Sequence, residues 1–157
     1  MKDINTSVAR LVGFILTGLF SLLIGLYIGS RNKTSEEPRQ LTDWEVLELA
    51  IIKTESDFNP LARGSHNDLG IFQGTKIWVE DVNRIVGFPK YVHTDCLDVD
   101  MSIEMFNVIQ RKYNPKKDPY KAISVHNPGG DSIGYTIKVR NNMDWIRRYE
   151  EIKSKLK

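Results

Sequence analysis

An α-rich domain behind one apolar N-terminal segment is the architecture this sequence predicts, and three observations carry it. From Leu11 to Ser30 the run LVGFILTGLFSLLIGLYIGS contains no charged residue. Beyond Leu41, apolar residues recur at helical spacing and capping residues stand where those patterns begin. Clusters of Asn, Pro and Gly break the patterns into short pieces, with little strand alternation between them. Several short helices packed on one core make an all-α or α-rich single domain.

The apolar run comes first. At a rise of about 1.5 Å per residue it covers the roughly 30 Å hydrocarbon core of a bilayer. It exceeds the roughly 7–15 apolar residues of a secretory signal peptide. No small-x-small pair precedes Arg31, and no Cys stands near its end for lipid attachment. A retained anchor is therefore preferred to a cleaved signal. The domains read as a cytoplasmic tail at 1–7, a transmembrane helix at 8–30, a polar linker RNKTSEEPRQ at 31–40, and a folded domain at 41–157. Lys2 and Arg10 on one side balance Arg31, Lys33 and Arg39 on the other, so flanking charge does not orient the span.

Thr42 followed by Glu45 is a capping box, opening a helix that runs to about Ser56 and is stopped by Asn59-Pro60. Trp44, Val46, Leu47, Leu49, Ala50, Ile51 and Ile52 are apolar around most of its circumference, interrupted only by Asp43, Glu45, Glu48 and Lys53. Such a helix is buried on most sides. Gly64, Gly70 and Gly74 mark residues 61–74 as a loop with room for a short hairpin. A second helix covers Lys76 to Val86 and ends at Gly87. A third spans about Asp98 to Tyr113, with Met101, Met105, Val108 and Ile109 at helical spacing. A fourth holds Tyr120 to His126 and breaks at Asn127-Pro128-Gly129-Gly130. The stretch from Ser132 onward is helical with a break at Asn141-Asn142.

Composition excludes several function classes. A net charge of +2, with no basic stripe carrying interleaved aromatics, gives no case for nucleic acid. A single cysteine, Cys96, rules out an intramolecular disulfide and reads as a small buried hydrophobe. No Cys, His and Asp group has metal-ligand spacing, so neither metal nor cofactor is expected.

One carboxylate stands out. Trp44, Leu47, Ile51, Glu55 and Phe58 share one face of the first helix, placing Glu55 on an apolar stripe at the helix C-terminus. Desolvation and the negative end of the helix dipole both predict a raised pKa. A carboxyl still protonated near neutral pH suits general-acid cleavage of a glycosidic bond. The plain structural alternative is a solvated Glu55, or one paired with Lys53 or Arg63.

The residues around Glu55 favour the chemical reading. The stretch AIIKTESDFNPLARGSHNDLGIFQ from Ala50 resembles the lysozyme-like transglycosylase (SLT) family. That family carries a Glu-Ser pair at a helix end, a Phe-Asn-Pro-x-Ala stretch, a loop and a Gly-Leu-Met-Gln-like turn. Here these are Glu55-Ser56, Phe58-Asn59-Pro60-Leu61-Ala62 and Gly70-Ile71-Phe72-Gln73. A further element, Ala-x-x-x-Tyr-Asn-x-Gly followed by Tyr and Val, resembles the segment from Ala122 to Gly129, with Tyr135 and Val139 beyond. The resemblance implies a lysozyme-like fold acting on the MurNAc–GlcNAc strands of peptidoglycan, with Glu55 as acid and base. It implies that Ser56, Gln73 and Asn127 orient the sugar or the carboxyl, and that Tyr135 hydrogen-bonds the carboxyl. His126 departs from the family, which usually has Tyr there; an imidazole can still stack and hydrogen-bond.

Asp68 is a possible second carboxylate. The segment Asn-Asp-Leu-Gly-Ile-Phe-Gln resembles the Asp-Tyr-Gly-Ile-Leu-Gln of animal-type lysozymes, where the aspartate is catalytic. The alternative is a turn residue beside Gly70. A hydrolase flanks the bond with two carboxyls, whereas the SLT family needs one. The leading expectation is a lytic transglycosylase forming 1,6-anhydro ends. The alternatives are a hydrolytic lysozyme using Glu55 and Asp68, or an inactive glycan-binding or scaffold module. With the substrate outside the cytoplasmic membrane, a single-pass anchor would hold the domain on the wall side. The sequence names no protein partner. Trp44, Trp78 and Trp145 are candidates for sugar stacking, but Trp44 and Trp145 stand at core spacing.

Overall fold

Thr42 opens the first helix of the domain in the computed structural model, which describes residues 39–129 and 132–155. The expected tail, the membrane span at 8–30 and most of the linker lie outside the described residues. Among the described residues no helix is long and apolar enough to cross a membrane.

Helix α1 runs Asp43–Ser56. Its capping box is closed in both directions, Glu45 N donating to Thr42 Oγ1 at 3.3 Å and Thr42 N donating to Glu45 Oε2 at 2.9 Å. Every residue from Glu45 to Ile52 is buried, Glu48 included. The helix stops before Asn59-Pro60, because Asp57 and Phe58 both adopt left-handed backbone and the Asp57 N–H closes on the Lys53 carbonyl. Phe58 then turns inward and is buried.

Helix α2, Lys76–Val86, is capped by Thr75 and closed by Gly87 at φ 91. The returning chain is caught by Asn83, whose Oδ1 accepts from Tyr91 N at 2.9 Å and whose Nδ2 donates to Tyr91 O at 2.8 Å. A 3₁₀ helix follows at His93–Leu97, which no periodicity announced. Helix α3 is Val99–Tyr113, capped by Asp98; helix α4 is Pro119–His126, capped by Asp118 with Pro in its first turn; helix α5 is Ser132–Lys155. Buried Asn114 joins α3 to α4 by accepting from Asp118 N and donating to its carbonyl. Helix α1 packs on α5, α2 on α3, and α4 touches α1, α3 and α5. Among the described residues the only pairing of strand type is two isolated bridges, Arg63 with Leu69 and Leu69 with Gly74, so the 61–74 loop makes no full hairpin. The described domain is all-α.

Three expectations are corrected. Helix α5 is unbroken at Asn141-Asn142, because Asn142 Nδ2 donates to Thr54 Oγ1 at 2.9 Å and Val139, Met143 and Ile146 are buried around it. An Asn in a helix costs less than about 0.7 kcal/mol, and tertiary contacts offset that. Trp145 is not core: it is 40% exposed, stacked on Tyr149 with Lys53 Nζ over its ring at 4.7 Å. Met101 is also exposed, since it lies in the first turn of α3, while Met105, Val108 and Ile109 are buried.

Gly70 seats the loop. Its φ is +73, and a Cβ there would stand 1.6 Å from the Cys96 carbonyl oxygen, a backbone atom. Gly87 is also left-handed but has nothing within 4 Å. Gly70→Ala should therefore cost about 3 kcal/mol or more. Gly87→Ala should cost only the left-handed penalty of about 1–2 kcal/mol. Denaturant unfolding of both variants checks this, and equal losses would contradict the close approach.

Candidate active site

Glu55 sits in the last turn of α1, half-buried, with its carboxyl opening into a cleft. Two other helices converge on one of its oxygens. Tyr135, in the first turn of α5, donates its hydroxyl to Glu55 Oε1. His126, the last residue of α4, places Nε2 3.3 Å from that same Oε1. Among the described residues no hydrogen bond reaches Oε2. Lys53, a possible partner for Glu55 from sequence, instead pairs with Asp57 at 2.6 Å.

The imidazole is held by aromatic rings. Phe72 and Phe106 stack at 4.5 Å, and the His126 ring meets both edge-on at 5.8 Å. Its side chain is 6% exposed, and Nδ1 is buried without a hydrogen-bond partner among the described residues. Thus His126, which departs from the family's usual Tyr, contacts the carboxyl itself.

That contact reverses an expectation. Burial is the largest influence on Glu55 and pushes its pKa up, as the sequence predicts. The His126 hydrogen bond and charge, then the Tyr135 hydrogen bond, together outweigh it, and the carboxyl is held below its ordinary 4.5. Periodicity locates the apolar stripe but not the donors that arrive from α4 and α5. Burial first, then the neighbouring Glu55 charge, push the Tyr135 phenol far above its usual range, so it remains a proton donor.

The cleft has a volume of about 570 Å³, in the range of small-ligand sites. Asp68, Gln73, His126, Asn127 and Tyr135 line it together with Glu55. Gln73 takes left-handed backbone at φ 48, and its Nε2 donates to Gly70 O at 2.8 Å, closing the turn that carries it. Asp68 lies against Gly64 beside Gln73. Asn127 caps α4 through its backbone N–H to Ile123 O at 3.0 Å. Ser56 does not line the cleft. Its hydroxyl lies 3.0 Å from both the Ile52 and Ile71 carbonyls, so it fastens the end of α1 to the turn bearing Phe72 and Gln73.

Of the other cleft residues only Trp78, a candidate for sugar stacking, was singled out from the sequence. Trp78 and Ile77 form apolar wall from α2, and Asp81, Arg84 and Tyr113 form a polar end. Arg84 pairs with Asp81 at 2.6 Å and the Tyr113 hydroxyl donates to Asp81 Oδ2 at 3.2 Å. Their i,i+3 spacing on a charged helix face is that of any solvated pair. Of the tryptophans, only Trp78 lines the cleft. Cys96 is buried, and burial followed by Asp95 pushes its thiol up to about 11, which removes it as a nucleophile at neutral pH.

The depressed Glu55 pKa has a stability consequence. A carboxylate whose folded value lies below 4.5 contributes stability in full above that value and loses it as pH falls through the folded value. The unfolding free energy of the wild type relative to Glu55→Gln should therefore be level near neutral pH and fall as the pH drops below 4.5. Denaturant melts across that range check the sign; a relative stability that rises on acidification would show a raised carboxyl instead.

Neither a curated protein nor a solved structure matches the chain. The family described as Transglycosylase SLT domain matches residues 34–146, spanning α1 through α4, the cleft residues and most of α5. The chain belongs to the transglycosylase SLT domain family, whose activity is of the lytic, peptidoglycan-directed type.

Proposed function

We propose that this protein is a peptidoglycan lytic transglycosylase that cleaves the MurNAc–GlcNAc bond and leaves 1,6-anhydro-MurNAc ends. The observation that carries the reading is the Glu55 carboxyl, held from two helices in the lining of a cleft of about 570 Å³. In the cleavage step Glu55 gives its proton to the glycosidic oxygen as the bond from C1 breaks. The resulting carboxylate then takes the proton of the sugar's own 6-hydroxyl, whose oxygen closes on C1. Glu55 is thereby reprotonated, and no water is consumed. The resting carboxylate suits the second half. For the first half, a glycan seated in the cleft excludes more water, which strengthens the burial effect that already pushes this carboxyl upward.

Asp68 supports a second reading, hydrolysis, because it shares the cleft wall with Glu55. Its place against Gly64 and the Gln73 turn favours a part in loop structure instead. Glu55→Gln should lower wall lysis by at least about 10²-fold, the usual scale of general acid–base catalysis. Asp68→Asn should cost far less. Turbidity assays on purified sacculi test both, and a collapse of activity in Asp68→Asn would promote the hydrolase.

We further propose that the apolar run Leu11–Ser30 anchors the chain in the cytoplasmic membrane with the domain on the wall side. Alkaline phosphatase fused after residue 40 should then be active. A membrane-inserted but inactive fusion would contradict the orientation.

A further inference from the structure

Both donors at Glu55 crowd one oxygen, and only one of the two can carry a charge. Tyr135 and His126 both meet Oε1, while the described residues send no hydrogen bond to Oε2. We propose that His126 is a positioning residue of the acid–base step: with Tyr135 it pins Oε1, it leaves Oε2 to face the scissile bond, and its charge governs whether the carboxyl is ionised. This rests on the function proposed above and deepens it, because it assigns the atom that transfers the proton and the group that controls it.

The geometry carries the argument. A phenol held far above its usual range supplies a hydrogen bond but no positive charge. An imidazole ordinarily titrates near about 6.5, so it can supply both. Phe72 and Phe106 flank the ring edge-on and its side chain is 6% exposed, so it cannot swing into solvent to escape the carboxylate. The last turn of α4 also favours a cation through the helix dipole. Among the described residues no competing charge is in contact with the imidazole. Helix α1 presents Glu55, α5 presents Tyr135, and α3 and the Gly70–Gln73 turn present only the phenylalanine rings. Asp68, Asp81 and Arg84 lie elsewhere on the cleft wall without a hydrogen bond or ion pair to the imidazole. An opposite charge this close lowers a carboxyl, and losing it leaves the Tyr135 hydrogen bond alone to oppose burial.

The experiment follows the Glu55 side-chain carboxyl by ¹³C NMR across pH in the full chain, alongside the pH profile of kcat/KM for wall lysis. In the wild type the carboxyl resonance should move in two steps. In His126→Gln, which keeps a neutral donor, it should move in one step, shifted up by about one unit or more. The lysis profile of that variant should lose one of the wild type's two ionisations. Should His126→Gln fail to fold, His126→Phe preserves the aromatic packing and must show the same single, raised step. A one-step wild-type titration, or a variant midpoint equal to the wild type's, overturns the proposal even with lysis intact. A two-step titration in a protein that never cleaves the wall would instead overturn the proposed function and leave the coupling standing.

Discussion

A carboxyl at the end of a buried helix loses water that nothing on its own helix replaces, and the architecture around Glu55 follows from that deficit. Helix α1 is enclosed from Glu45 to Ile52, and its last turn brings Glu55 into the lining of the cleft. Compensation has to come from other elements, and it comes from α5 through Tyr135 and from α4 through His126. Both helices must therefore dock correctly for the carboxyl to be held. The Asn142–Thr54 hydrogen bond fixes α5 about two turns beyond Tyr135, and Asn114 ties the start of α4 to the end of α3. Site geometry and fold stability thus share the same contacts.

The turn that carries Phe72 and Gln73 is seated by close backbone approach. Gly70 lies on the Cys96 carbonyl, and Ser102 Oγ donates to that same oxygen at 2.7 Å. A side chain at position 70 would displace the turn carrying Phe72 and Gln73. Phe72 in turn stacks on Phe106 and flanks the imidazole, so a glycine in a loop controls the setting of His126 through one aromatic pair. Ser56 completes the circuit by joining the end of α1 to Ile71.

Much of this was legible from sequence because local rules decide it. The Thr42–Glu45 box, the Gly87 stop and the Asp98 start are capping chemistry, read from neighbouring residues. The motif segments brought Glu55, Gln73, Asn127 and Tyr135 to one cleft as the family resemblance implied. What was not legible depends on contacts between distant segments. The 3₁₀ helix at His93–Leu97 is too short to show a period. Asn141-Asn142 is a weak helix signal overridden by Thr54, eighty-eight positions from Asn142. The sign of the Glu55 shift was missed for the same reason: burial follows from periodicity, while the opposing donors arrive from positions 126 and 135.

The central claim is that one carboxyl performs both proton transfers and that the sugar's own hydroxyl closes the ring. Mass spectrometry of muropeptides released from purified sacculi by the wild-type chain tests it most directly. The account predicts 1,6-anhydro-MurNAc ends, lighter by one water than hydrolysed chains. Reducing MurNAc ends at the full hydrolysed mass would contradict it and require a second group to activate water.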